Sequence, residues 1–360
     1  MNKSIIVGKN ISELSAICIE NKFPKFHGEQ LYKWLYQKSV NDITKMSNIP
    51  DSLKIIIDQK YKLNPLKIEK KLKSKNEDTI KYLFKTNDHK LIESVSMIDS
   101  GRHTLCISSQ IGCSVDCDFC ATGKMGIIRN LNCGEIIQQL ISISAERKQK
   151  ITNIVFMGMG EPLLNIEPVL ESISLMQHQN AYGLSKRRIT LSTSGIVPEI
   201  DKLSSRTDVS LAISLHAANN TLRNEIVPIN KKYPLDQLLN SCKKYLKNKS
   251  KRHTITIEYI LIEGVNDSIE HAKELVKVLK GVSCKINLIP FNPFDGSNYS
   301  RSSDNTIQAF KDFLIQKGMI TTLRITRGDA IDGACGQLVG KLTKSIRGKN
   351  KGNSINLINT

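Results

Sequence analysis

Cys113, Cys117 and Cys120 stand in a C-x3-C-x2-C pattern within "IGCSVDCDFCATG", residues 111–123. Three thiolates at this spacing can wrap an iron–sulfur cube, each taking one corner iron. Three protein ligands leave the fourth iron open, and an open coordination position is what a reactive cofactor requires, as in catalytic zinc sites. A zinc ion completed by His103, His216 or a distant cysteine uses the same thiolates, although zinc motifs usually come as two close pairs. The spacing alone leaves both readings open. Phe119, between the last two cysteines, is either ordinary packing or a shield for a cluster or a nucleobase pocket.

Small polar groups recur further along the chain. In "MGMGEP" (157–162), Gly158 and Gly160 let the backbone approach a ligand, and Glu161 offers a carboxylate to a positive group such as an amine. An isolated Gly-x-Gly is equally well a tight turn. Here it joins a series: Ser192 and Ser194, then Ser214 and His216, then Asn292, each just after an apolar run. Several polar groups converging on one mouth predict a bound polar ligand.

The elements that must position these residues read as strands alternating with helices. Strands are predicted at 103–109, 152–157, 188–193, 209–215, 254–261, 284–289 and 321–326, with helices at 134–147, 235–247, 268–280 and 305–317. Such alternation specifies parallel βαβ units, hence a barrel or a doubly wound sheet. The cysteine trio follows the first strand, on the carboxyl-end side where both architectures place their chemistry. Residues 1–75 read as a small helical accessory domain: Leu31, Trp34 and Leu35 share one helix face, and "NIPDSLKIIID" starts another helix. Residues 76–101 read as a β-hairpin, "TIKYLFK" and "KLIESVSMI" around the turn "TNDH". The main domain spans 102–343, and 344–360 is a basic, flexible tail.

Composition narrows the class. With 360 residues, 40% hydrophobic and 24% charged, the chain has a globular protein's balance. No run reaches the roughly 20 apolar residues of a membrane span, and the amino terminus lacks a signal peptide's apolar stretch, so a cytoplasmic location is expected. Nine cysteines, an odd number, favour metal or thiol chemistry over a disulfide framework. The formal charge of +18 makes nucleic acid the first partner to consider, although abundant Lys, Asn and Ile would also follow from a lysine-rich genome. Candidate phosphate contacts are "KIEKKLKSK" (67–75), Lys186 with Arg187 and Arg188, and "KNKSKRH" (247–253), each weak alone because charge runs are usually solvated faces.

Taken together, "SSQIGCSVDCDFCATG", "MGMGEPLLN", "LSTSGIVP", "SLHA", "PFNP" and "RGDAIDGACGQL" resemble the radical S-adenosylmethionine (SAM) superfamily and, within it, the dual-specificity RNA methyltransferases of the RlmN type, over residues 20–343. The resemblance implies an incomplete (β/α)6 barrel preceded by a helical RNA-binding unit. It implies methylation at C2 of an adenine in 23S rRNA and of an adenine beside the tRNA anticodon. Cys113, Cys117 and Cys120 would then hold a 4Fe–4S cluster whose open iron is chelated by SAM, with Gly160, Glu161, Ser192, Ser214, Leu215, His216 and Asn292 as SAM contacts. A cytosolic electron donor such as flavodoxin and a monomeric enzyme complete the expectation.

Adenine C2 is electron-poor, so polar transfer of a methyl cation to it fails and radical chemistry is required. By the same resemblance, the Cys335 thiolate takes a methyl group from a first SAM. A 5′-deoxyadenosyl radical from a second SAM abstracts hydrogen from that methyl, and the carbon adds to C2. Glu93 accepts the C2 proton, and Cys106 attacks the Cys335 sulfur, freeing the RNA and leaving a disulfide. Read without the family, Cys106 is a small strand hydrophobe. Cys335 sits in "GACG", a poor core segment that suits a reactive thiol. Cys18, Cys133, Cys242 and Cys284 carry no motif. Two other readings remain: a relative that methylates C8 of the same ribosomal adenine, against which "TRGDAID" speaks, and a zinc-stabilised RNA-binding protein without catalysis. In either enzyme the target base must leave its stack to reach a buried centre.

Overall fold

The computed structural model describes residues 3–40, 42–247, 249–250, 253–324, 328 and 331–339, with the backbone of 356–358. Seven parallel strands form most of one sheet: Arg102–Cys106, Asn153–Phe156, Ile189–Thr193, Ser210–Ser214, Ile255–Leu261, Cys284–Pro290 and Thr321–Leu323. The first six are each followed by helix, the last helix of each connection being Cys133–Arg147, Ile166–Gln177, Val197–Leu203, Leu235–Lys247, Ile269–Val278 and Asp304–Gln316. Six βα units and a short seventh strand make the incomplete (β/α)6 barrel that the resemblance implies. Among the described residues the first and seventh strands do not pair, so the barrel stays open.

The side-chain alternation within these strands is what makes the interior usable. Leu191, Ile255 and Ile257 face the helices and are buried in the core. Their neighbours Thr190, Thr256 and Glu258 face the barrel interior, as do Asn287 and Thr322, and line a cavity. A closed barrel fills this space with branched apolar side chains. Here it holds hydroxyls, an amide and a carboxylate.

On the other side of the first strand the sheet continues antiparallel through Leu91–Asp99, Thr79–Thr86 and Leu66–Lys73. The expected hairpin is thus part of the barrel sheet and has a third strand. The lysine-dense stretch conceals that strand by charge: Leu66 and Leu72 are buried, Ile68 packs against the core, and a register shift between Ile68 and Lys70 breaks the simple alternation. Asn356–Ile358 pairs antiparallel with this strand, while the rest of the expected tail lies outside the described residues.

The amino-terminal helices are Ile11–Glu20, Phe26–Tyr32 with a π-helical turn to Gln37, and Asp51–Lys60. Asn10 caps the first through a reciprocal box with Glu13. Leu31 and Leu35 are fully buried, as their spacing predicts, and belong to the same apolar cluster as the barrel strands. Among the described residues no helix is long and apolar enough to cross a membrane.

Candidate active site

The cysteine loop leaves the first strand and is pinned at several points. The Cys113 N–H donates to the Gly126 carbonyl at 2.9 Å, Cys120 N–H to Cys117 at 3.0 Å, and Asp118 N–H to Ile226 at 3.1 Å. Gly112 has φ +78°, and a Cβ there would lie 1.8 Å from the Gly126 oxygen, so no side chain fits. Burial pushes the Cys113 thiol up to about 12 and raises Cys117 and Cys120 as well. Each sulfur nevertheless has a donor aimed at it: the Val115 N–H at Cys113, Ser194 at Cys117, and Gly123 and Thr122 at Cys120. Three half-buried cysteines on one pinned loop, each sulfur supplied with a donor for its anion, suit a metal centre whose positive charge replaces the missing solvation. Among the described residues no three His, Cys, Asp or Glu side chains converge as the ligands of one metal ion would. A cube, which takes each thiolate on a different iron, does not require that convergence.

The histidines proposed for a zinc site are occupied elsewhere. His103 is fully buried between Ser96 Oγ, 2.9 Å from Nε2, and the Gln149 carbonyl. His216 Nδ1 accepts the Ile260 N–H at 3.1 Å, and its ring meets Phe119 edge-on at 4.7 Å. Phe119 itself packs with Ala217, Ile226 and Phe291, and Cys117 and Cys120 rest against that cluster.

Next to the cysteines a cavity of about 140 Å³ is lined by Phe119, Gly160, Glu161, Ser192, Ser214 and His216. Gly160 has φ +99°, and a Cβ there would strike Gln110 at 2.5 Å. Its loop presents Glu161, whose carboxylate accepts the Ser194 N–H at 2.8 Å and the Leu163 N–H at 3.1 Å. Burial raises this carboxyl despite those donors, so a cationic ammonium is the complementary ligand. Ser192 and Ser214 hydroxyls stand 3.4 Å apart on neighbouring strands. Leu215, between Ser214 and His216, has its side chain in the core, while its N–H donates to Glu258 O and its carbonyl accepts from Arg223.

A larger cavity of about 490 Å³ fills the barrel interior and shares Glu258, Arg324 and Cys335 with the first. Cys106 and Asn292 also line it, so Cys335 and Cys106 are brought to one chamber. Burial, then the neighbouring Cys335, lifts Cys106 to about 12. The loop carrying Cys335 is clamped to the cysteine loop by the Ala121 N–H on Gly336 O at 2.7 Å and by Thr122 Oγ1 on Leu338 O at 2.6 Å. Asn292 Nδ2 donates to the Cys335 carbonyl at 3.3 Å. Glu93 lies behind this loop. Its Oε1 faces Lys81 Nζ at 3.3 Å and its Oε2 accepts the Val339 N–H at 2.9 Å.

Three residues at this centre escape reasoning from spacing. Arg324 lines the larger cavity with Cys335, Glu258 and Cys106, and the interaction it would have with their anionic forms raises its guanidinium against burial. Glu258, raised by burial, is bonded by Asn287 Nδ2 at 2.7 Å. Arg223 is fully buried beneath the loops. The only sequence signal for the first two is a charged residue at an inward-facing position of an apolar strand.

Two of the candidate phosphate-binding runs are misplaced relative to this mouth. Lys186, Arg187 and Arg188 precede the strand Ile189–Thr193, at the end opposite Ser192, and Lys186 pairs with Asp208 at 3.1 Å. Lys249, in the run at 247–253, is bonded to Asp208 and to the Ser204 and Thr207 carbonyls; Asn248, Lys251 and Arg252 lie outside the described residues.

An open (β/α)6 barrel with a pinned three-cysteine loop at its carboxyl mouth defines a radical SAM protein, and residues 107–276 match the Radical SAM superfamily. Residues 6–62 match the ribosomal RNA large subunit methyltransferase N-terminal domain. The chain is 48% identical to the dual-specificity RNA methyltransferase RlmN of Saccharophagus degradans, covering 94% of this chain and 86% of that one. It is also 48% identical to the RlmN of a Marinomonas species, covering 91% and 90%. A crystal structure of a radical SAM methyltransferase from Sphaerobacter thermophilus superimposes with a TM-score of 0.90 at 38% identity, over 94% of this chain and all of that one. The chain belongs to the RlmN family of radical SAM enzymes, whose cofactors are a 4Fe–4S cluster and SAM.

Proposed function

We propose that this chain methylates C2 of adenine in 23S rRNA and in tRNA, as a cytoplasmic monomer reduced by a flavodoxin-type donor. The name shared by its relatives, dual-specificity RNA methyltransferase, supports the activity. The observation that carries the reading is the chamber shared by Cys335 and Cys106, which meets the pocket of Glu161, Ser192 and Ser214 at Cys335. Cys113, Cys117 and Cys120 hold the cluster, while Gly160, Glu161, Ser192, Ser214, His216 and Asn292 bind SAM. Leu215 contributes only through the backbone turn between Ser214 and His216. Cluster and SAM supply the one-electron chemistry that an electron-poor carbon demands.

The protein's own part is to carry the methyl group. Cys335 accepts it and holds the carbon against the extruded adenine. Arg324 lines both cavities beside Cys335, which places a guanidinium at the junction where the methyl group is received. The odd-electron adduct would give up one electron to the redox centre as Glu93 takes the C2 proton. The Cys106 thiolate then attacks the Cys335 sulfur, the S–C bond breaks with its electron pair on carbon, a proton completes the methyl group, and a disulfide remains that reductant must reopen. Residues 1–75 contribute RNA contacts, the strands to residue 101 brace the Cys335 loop, and residues 102–343 perform the chemistry.

The test uses reconstituted enzyme, reductant, methyl-deuterated SAM and rRNA lacking the modification. Mass spectrometry of adenosine and of the Cys335 peptide is expected to find label in both, on C2 in the base. Label at C8 replaces the C2 reading, and normal RNA methylation by a Cys335→Ala variant sinks the methyl-carrier role.

A further inference from the structure

Lys81 lies in the middle of strand Thr79–Thr86 and is only 5% exposed, an uncommon position for an unpaired lysine. Its ammonium has two partners. One is Glu93 Oε1 at 3.3 Å, on the neighbouring antiparallel strand, where Glu93 stands opposite Leu83 and Lys81 opposite Val95. The other is the carbonyl oxygen of Asp332 at 3.0 Å. Glu93 in turn accepts the Val339 N–H through its other oxygen at 2.9 Å. The pair therefore grips the Cys335 loop on both flanks, at Asp332 and at Val339. The strand bearing Glu93 also pairs directly with the strand of Cys106, with Val95 opposite Cys106. One buried ion pair thus relates the loop of the methyl carrier to the strand of the resolving thiol.

Burying two charges costs desolvation, and an apolar pair of similar volume would hold the strands as well. The ladder between the strands already supplies their cohesion. What an apolar pair could not do is bind the Asp332 carbonyl and the Val339 N–H while keeping a carboxylate beside the loop. A carboxylate has room for about four hydrogen bonds, so two contacts fix its direction without exhausting its capacity.

We propose that Lys81 is a positioning residue for the release half of the reaction, orienting Glu93 and the Cys335 loop so that proton removal and attack by Cys106 follow coupling to RNA. The inference rests on the proton-acceptor reading of Glu93.

The test compares parent, Lys81→Arg, Lys81→Met and Glu93→Gln as reconstituted full-length holoenzymes with SAM, reductant and rRNA. Two quantities are read: methylated Cys335 by peptide mass spectrometry, and covalent enzyme–RNA adduct on denaturing gels. Lys81→Met is expected to methylate Cys335 within about threefold of the parent, while adduct accumulates and RNA release slows by at least about tenfold, a fraction of what a general base contributes. Lys81→Arg restores most of the release. Should Lys81→Met not fold, Lys81→Gln takes its place with the same readouts, since it keeps donors for the Asp332 carbonyl without the charge. Release at the parent rate overturns the inference, and so does an equal loss of Cys335 methylation and release that Lys81→Arg does not repair. Normal release by Glu93→Gln overturns the proton-acceptor reading itself, whereas a stalled Glu93→Gln beside a freely releasing Lys81→Met removes only the role given to Lys81.

Discussion

The buried guanidinium of Arg223 donates to the carbonyl oxygen of Ser194 at 2.7 Å. The same nitrogen reaches the Ser214 carbonyl at 3.2 Å, Nε the Leu215 carbonyl at 2.9 Å, and Nη1 the Asn230 side-chain oxygen at 2.8 Å. One side chain therefore fastens the ends of the third and fourth barrel strands, where Ser194 contacts Cys117 and Glu161 and where Ser214 lines the smaller cavity. Burial lowers Arg223 to about 10, which leaves it charged at neutral pH.

Replacing Arg223 by Met strands three carbonyls and an amide oxygen in a dry interior. The expected loss of stability is about 3–5 kcal/mol, the range seen when a buried charged hydrogen-bonding group is deleted. Chemical denaturation of the two proteins measures it. SAM affinity should fall with stability, because the strand ends that form the pocket lose their common anchor. Unchanged denaturation midpoints would show that the carbonyls find other donors.

His216 gives the fold a signature in acid. Its Nδ1 is an acceptor for the Ile260 N–H, and burial, aided by the Arg223 charge, lowers its pKa from 6.5 to about 3. In the unfolded chain the imidazole titrates near its ordinary value. Between pH 6.5 and 3 the unfolded state thus binds the extra proton. The contribution is present in full above pH 6.5 and is lost as pH falls toward 3, by up to about 1.4 kcal/mol per unit. A His216→Gln variant should show a shallower decline over this window. Identical slopes would mean that other groups dominate acid unfolding.

Cys106 and Cys335 separate the two halves of catalysis. Cys335→Ala should abolish both protein and RNA labelling by methyl-deuterated SAM. Cys106→Ala should still methylate Cys335 and still couple to RNA, yet lack the thiol that frees the product. Covalent enzyme–RNA adduct on a denaturing gel is the expected sign, with released methyladenine down by about two orders of magnitude or more. Turnover by Cys106→Ala at the parent rate would assign release to another nucleophile.

Much of this centre was legible in sequence because its parts lie at strand ends. Cys113, Glu161, Ser192, Ser214 and Asn292 each follow an apolar run, and the run's direction decides on which mouth they gather. Lys81, Glu258 and Arg324 were not legible, since each lies within or at the edge of a strand and its importance depends on which neighbour it faces. Lys81 meets Asp332 across more than half the chain. The third antiparallel strand was hidden for a related reason: lysines dominate Leu66–Lys73, and only burial of Leu66 and Leu72 reveals the apolar face.

Charge runs were the weakest guide, and the structure changes what they predict. Lys186, Arg187 and Arg188 suggested a phosphate-binding patch, but they stand before the third barrel strand, at the mouth away from the cysteines, and Asp208 engages Lys186. The strand they precede, five residues at about 3.3 Å each, sets them some 15 Å or more from the catalytic mouth. If all three touched phosphates, neutralising them would flatten the salt dependence of RNA binding by about two units or more in log–log slope. Their geometry instead predicts a change below about one unit. Fluorescence titration of labelled rRNA at several salt concentrations decides between the two, and a drop of two units returns this face of the barrel to the RNA interface.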